Sequence, residues 1–150
     1  MDGCSVFGSA ETAKFNTRLQ VTELVLGNGS MDTSIWKTNF EYGELQTGRT
    51  VDSTKNTGNV AKQTMTVAGM ANPIVQTYKY DSLDRIAEAK ETSNSVQNWI
   101  QTFGYDRYGN RTSFSQTIGG QTTTATPAID ANTNRFSSSS FTFDANGNIT

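Results

Sequence analysis

The feature that most restricts how this chain can fold is a pair of aromatic residues two positions apart. It occurs four times, as Phe40/Tyr42, Tyr78/Tyr80, Phe103/Tyr105 and Phe141/Phe143. Tryptophan extends two of the pairs upstream in the spacing W-x-x-x-F-x-Y, through Trp36 and Trp99. Side chains alternate between the faces of a strand, so both rings of a pair share one face. On a helix the same two rings would stand about 200° apart. Gly43, Gly104, Gly109 and Gly147 lie beside or after the pairs, and glycine disfavours helix interiors. The pairs therefore predict strands.

The residues after each pair also repeat. Tyr80 leads into Asp81-Ser82-Leu83-Asp84-Arg85, Tyr105 into Asp106-Arg107-Tyr108-Gly109-Asn110-Arg111, and Phe143 into Asp144-Ala145-Asn146-Gly147-Asn148. A degenerate copy runs from Ile129 through Asp130 and Asn134 to Arg135 and Phe136. Aspartate at the first position of a turn can accept the backbone N–H groups of the next few residues. Glycine or asparagine further on tolerates the positive φ of a tight reversal. Each unit thus reads as strand, Asp-led turn, strand. The Tyr80 copy lacks the glycine and reads as one residue shorter, with Asp84 in the asparagine place. Arg85, Arg111 and Arg135 recur just past the turns, where pairing with a neighbouring aspartate is expected. Further strands are expected over 60–67, 86–92 and 112–118, with a reversal at Gly119-Gly120. A turn at Gly27-Asn28-Gly29 is expected to close a strand pair around 20–26, and 87–91 is assigned to strand and loop rather than helix.

Composition supports an all-β chain. Only 17% of the 150 residues are charged, while Thr, Ser, Asn, Gln and 13 Gly make up much of the remainder, a set suited to short strands and turns. With net charge −2 and no basic run, the chain lacks a nucleic-acid footprint. No window approaches the ~18 apolar residues that a membrane helix needs. The first ten residues carry neither the basic nor the apolar region of a secretion signal. Cys4 is the single cysteine, read as a passive thiol, and there is no histidine. That excludes an internal disulfide, zinc sites of the Cys/His kind and Ser-His or Cys-His nucleophile chemistry. Enzymatic readings are left with carboxylate, lysine or tyrosine chemistry.

Three sharper readings compete with a structural one. Asp81, Asp106, Asp130 and Asp144 could supply a catalytic carboxylate pair. Such a pair needs two distinct environments, whereas equivalent places in successive turns imply one shared capping role. Asp130/Asn132/Asn134 and Asp144/Asn146/Asn148 alternate like calcium-loop ligands. Arg135 and Ile149, however, stand at the sixth position, where that loop needs glycine, and Phe141 stands at the twelfth position of the first copy. No metal or cofactor is expected. Trp36, Phe40, Tyr42, Tyr78, Trp99, Phe103 and Phe141 could form a sugar-binding strip, but the preferred reading is an aromatic ladder buried between successive repeats.

The stretches YDSLDRI, YDRYGNR and FDANGNIT resemble the YD repeats of the RHS-repeat family. That family includes bacterial polymorphic toxins, insecticidal toxin-complex shells and teneurins. ETAKFNTRLQVTELVLG and NTGNVAKQTM resemble its variant repeats. The resemblance implies successive antiparallel hairpins forming a curved, spiralling sheet, part of a β-cocoon that in bacterial members encloses a C-terminal toxin. On this basis the chain reads as one repeat segment over 1–150, clearest over 76–150 and variant over 10–75, belonging to a longer protein. The family's self-cleaving aspartyl core is not recognisable in it. The implied role is non-catalytic, secreted or at the cell surface as part of a bacterial parent. Its expected partners are neighbouring repeats, a possible enclosed toxin domain and other copies met through sheet edges, with no nucleic acid and no membrane span. Carbohydrate or cell-surface binding through strand aromatics is the alternative, and a carboxylate hydrolase the remote one.

Overall fold

The computed structural model of the chain describes residues 10–27, 35–137 and 141–150. Among these, 58% lie in strands and 5% in short 3-10 turns, so the protein is all-β. No described helix is long and apolar enough to cross a membrane. The chain divides into two compact units, residues 1–98 and 99–150.

In the first unit, six strands hydrogen-bond antiparallel in the order β1 (Ala10–Phe15), β2 (Val21–Gly27), β3 (Trp36–Tyr42), β6 (Val60–Val67), β7 (Ile74–Tyr80) and β8 (Ile86–Ser93). The register gives the two faces different chemistry. Trp36 lies opposite Leu26 and Val67, Thr38 opposite Leu24 and Met65, Phe40 opposite Gln63, and Tyr78 opposite Ala89, so all of these share one face. The other face carries Glu23, Lys37, Lys62, Lys79, Glu88 and Lys90, joined by pairs such as Glu23–Lys37 at 2.9 Å and Lys79–Glu88 at 3.1 Å. The buried residues are small: Val25, Thr38, Ala61, Thr77 and Ala89, with Leu45. Stability here rests on the ladders and on half-buried side chains rather than on a thick apolar core.

An excursion interrupts the repeat after Tyr42. It contains the two-residue strands β4 (Glu44–Leu45) and β5 (Val51–Asp52) and two 3-10 turns, at Thr47–Arg49 and Ser53–Lys55. Gly43 opens it at φ +148, where a Cβ would run into the Asp52 carbonyl. Arg49 fastens the excursion to the charged face by hydrogen bonds to the Thr77 hydroxyl and, at 3.0 Å, to Glu88.

In the second unit, β9 (Val96–Tyr105, whose first three residues belong to the first unit), β10 (Arg111–Ile118) and β11 (Gln121–Ala125) pair antiparallel. The short strands β12 (Ile129–Asp130) and β13 (Arg135–Phe136) form a separate ladder. Strands expected over 60–67, 86–92 and 112–118 are present, as is the reversal at Gly119-Gly120, with φ +55 and +80. The expected strand at Phe141/Phe143 is a single bridge, Phe143 to Ile149. Asn28 and Gly29 of the expected Gly27-Asn28-Gly29 turn, like Cys4, lie outside the described residues.

Candidate functional site

The repeated turn has one geometry in four places. Phe15 pairs with Val21, Tyr80 with Ile86, Tyr105 with Arg111 and Phe143 with Ile149, and five residues intervene each time. The first of the five is Asn16, Asp81, Asp106 or Asp144. Its side-chain oxygen accepts the backbone N–H groups two and four residues on, at 2.8–3.0 Å. Its own N–H donates to the carbonyl four residues on, and its carbonyl accepts the N–H three residues on. The fourth residue has positive φ in all four: Leu19 +60, Asp84 +59, Gly109 +90 and Gly147 +90. The fifth residue reaches back to the first. Asn110 and Asn148 donate side-chain N–H to the second carboxylate oxygen at 2.8 Å, Arg85 does so at 2.7 Å, and the Gln20 amide accepts from Asn16 at 2.7 Å.

This geometry corrects the sequence expectation for the Tyr80 copy. That turn is not shorter. Asp84 occupies the glycine place and Arg85 the asparagine place, because a carboxylate residue can tolerate the left-handed conformation and a guanidinium can replace the amide donor. Of the three arginines, Arg85 pairs with Asp81. Arg111 and Arg135 instead stand over the rings of Phe114 and Phe143, each 5.4 Å from the centroid. The Asp130 copy is tighter: Asn134, at φ +56, donates its N–H to the Asp130 carbonyl, while Asn132 and Thr133 bond the carboxylate. The sequence places Asn16 in a variant repeat without marking its turn. The available signal is Phe15-Asn16, obscured by leucine at the positive-φ place.

Neighbouring turns are stitched together by amides. Asn56 donates to Gln20 Oε1 at 2.8 Å, Asn59 to Asp84 Oδ1 at 2.8 Å, and Asn110 to Asn134 Oδ1 at 2.5 Å. The last two links span 25 and 24 residues, the same steps that separate Asp81 from Asp106 and Asp106 from Asp130. Tyrosines before the turns add a second link. Tyr42 Oη donates to the Val21 carbonyl and Tyr80 Oη to the Val60 carbonyl, both at 2.8 Å and both to the first residue of the adjacent strand. Burial pushes both phenols above their ordinary pKa of 10.

The aromatic residues expected to form a ladder are mostly half-buried, with Phe141 exposed. Phe103 packs against Phe114 across β9–β10 at 5.6 Å, and Phe141 stacks on Phe136 at 5.2 Å. The direct cross-strand partners of Trp36, Phe40, Tyr78 and Trp99 are aliphatic or amide residues instead. Amides run between the rings: Tyr78 Oη donates to Gln76, Gln76 to Glu91 at 2.7 Å, and Gln101 to Gln116 at 2.6 Å.

One cleft of about 680 Å³ opens in the first unit between the Asp81 turn and the excursion. Tyr78, Tyr80, Lys79, Asp81, Asp84, Glu44, Lys55 and Asn59 line it, among others. Its carboxylates are engaged: Asp81 by Arg85, Asp84 by Asn59, and Glu44 by Lys55 at 2.5 Å. The N–H groups the turns aim at Asp81, Asp106, Asp130 and Asp144 hold all four below the usual carboxylate range. The main donor is the Arg85 backbone for Asp81, the Asn110 amide for Asp106, the Thr133 backbone for Asp130 and the Asn148 amide for Asp144. General-acid work needs a raised carboxyl pKa, and these four are shifted the other way. Among the described residues no three Cys, Asp or Glu side chains gather as a metal site. No protein-family model and no curated protein matches the chain.

Proposed function

We propose that this chain is an architectural segment of an RHS/YD-repeat protein, a stretch of β wall whose work is to hold shape rather than to catalyse. The observation that carries this reading is the turn: one hydrogen-bond geometry in four copies, two of which are bonded through Asp84 and Asn110 to Asn59 and Asn134, 25 and 24 residues away. Side chains committed to holding one turn to the next suit a repeat array, in which each unit is stabilised by its neighbours. In this reading the hairpins continue a spiralling sheet, and in a bacterial parent that wall encloses a C-terminal toxin and is exported with it. Sequencing the flanking reading frame tests it. Further YD repeats and a variable C-terminal domain are expected; a frame that lacks both would overturn the assignment.

The cleft beside Tyr78 and Tyr80 favours a second reading, recognition of neutral glycans. Two tyrosine rings, with Asn56, Asn59, Thr54 and Thr57 around them, offer stacking and hydroxyl contacts together. Titration of oligosaccharides against tyrosine and tryptophan fluorescence tests it, with Asn59→Ala expected to weaken any response. A flat titration at millimolar sugar sinks this reading.

A further inference from the structure

Strand β11 is the outer strand of the second unit. It pairs with β10 from Phe114–Ala125 to Ile118–Gln121, and all five of its residues are exposed. Because Gly119-Gly120 is a two-residue turn, its flanking pair is hydrogen-bonded and the pairs alternate from there. Gln121, Thr123 and Ala125 therefore direct their backbone groups toward β10. Thr122 and Thr124 direct theirs outward, leaving two N–H and two C=O groups at the edge.

Natural sheets blunt such edges with lysine, proline, bulges or a covering loop. Strand β1, the edge of the first unit, carries Glu11 and Lys14 and a register shift at Lys14/Phe15. Strand β11 has no lysine, proline or bulge, and no described residue covers it. From Thr112 through Ile129 no residue is charged, the β10–β11 register is unbroken, and Pro127 lies beyond the strand.

The edge also fits itself. Run antiparallel against a second copy with the two-fold axis at Thr123, Thr122 meets the second copy's Thr124 and the reverse, satisfying all four outward groups. The two Thr123 residues become the close, non-hydrogen-bonded pair, and no like charges face each other. Threonine already pairs this way within the fold, since Thr117 and Thr122 share a hydroxyl hydrogen bond of 2.8 Å across β10–β11. We propose that β11 is a self-association edge, joining two copies of this chain by antiparallel β11–β11 pairing about Thr123. Five residues of edge bury far less than the roughly 1,000 Å² of a durable interface, so the dimer is weak and concentration-dependent.

Sedimentation of the full chain from micromolar to millimolar concentration tests it. The weight-average mass is expected to rise with concentration. Thr123→Lys sets two ammonium groups opposite each other, and Thr124→Pro removes only an outward N–H. Each is expected to weaken association by about tenfold or more, with the circular dichroism unchanged. In a Cys4→Ser background, Thr123→Cys is expected to form a disulfide-linked dimer under mild oxidation, while Gln97→Cys, exposed at the start of β9, is not. A monomer across the whole range, association unaffected by Thr123→Lys, or equal cross-linking of the two cysteine variants would each overturn the proposal. Should Thr124→Pro fail to fold, the lysine and cysteine variants decide the matter.

Discussion

Leu19 sits where Gly109 and Gly147 sit in their own turns, with φ +60 against +90. For an L-residue with a Cβ, left-handed backbone costs about 1–2 kcal/mol. Leu19 is 83% exposed, so its side chain recovers little of that by burial. Replacing it with glycine removes the penalty but loosens the unfolded chain, which offsets about 0.4–1 kcal/mol of the gain. Leu19→Gly is therefore expected to stabilise the first unit by about 0.5–1 kcal/mol, although it deletes a large apolar side chain. Gly109→Ala should do the opposite by a similar amount: a Cβ there meets nothing within 4 Å, so the cost is conformational rather than steric. Leu19→Ala keeps the strain and should show no gain. Urea unfolding followed by far-UV circular dichroism reads each change as a shifted midpoint at constant slope. In thermal scans the shift should be about 2–8 °C for a unit of this size. A lower midpoint for Leu19→Gly, or an unchanged one for Gly109→Ala, would refute the equivalence of the two turns.

Arg49→Met keeps the aliphatic stem but gives up the bonds to Thr77 and Glu88, both part-buried. A loss of about 1–2 kcal/mol in urea unfolding is expected, with faster proteolysis within residues 44–55. The Glu23 carboxyl, held by Lys14, Lys37 and Asn39, is pushed down from its ordinary 4.5 to about 2. A carboxylate depressed on folding contributes stability above its unfolded pKa and loses it as pH falls through the folded value. Acid titration of stability should therefore show a loss between about pH 4.5 and 2 that Glu23→Gln reduces; an identical profile in the variant would contradict the pairing. Tyr80→Phe and Tyr42→Phe each remove one hydroxyl-to-carbonyl bond and should each cost about 1 kcal/mol. Ultraviolet titration of the unsubstituted chain should show these phenols ionising above the ordinary tyrosine range.

Much of the fold is legible because its signals are local. Rings two apart place both on one strand face, and an Asp or Asn followed by a positive-φ residue closes the chain on itself through bonds spanning two to four positions. The Asp81, Asp106 and Asp144 turns can be read from residue type alone for that reason. The Asn16 turn escapes such a reading because Leu19 strains where glycine would rest, and a strained residue leaves no compositional trace. The length of the Asp81 turn is not legible either, because Asp84 and Arg85 fill their roles by backbone angle and donor geometry, not by identity with Gly109 and Asn110.

What the sequence by itself determined is the part governed by neighbours along the chain: all-β character, the shared strand face of each aromatic pair, and the Asp-led hairpins. What only the tertiary structure decided is the part governed by residues 20 or more positions apart. Gln20 meets Asn56, Asn59 meets Asp84, the Tyr42 and Tyr80 hydroxyls reach the preceding strands, and Arg49 lies across Thr77 and Glu88. The rings that would have stacked in one column mostly face aliphatic and amide partners. Local spacing states which face a side chain points to. Strand register, shifted by bulges beside the Asn16, Asp81 and Asp106 turns, decides what it meets there.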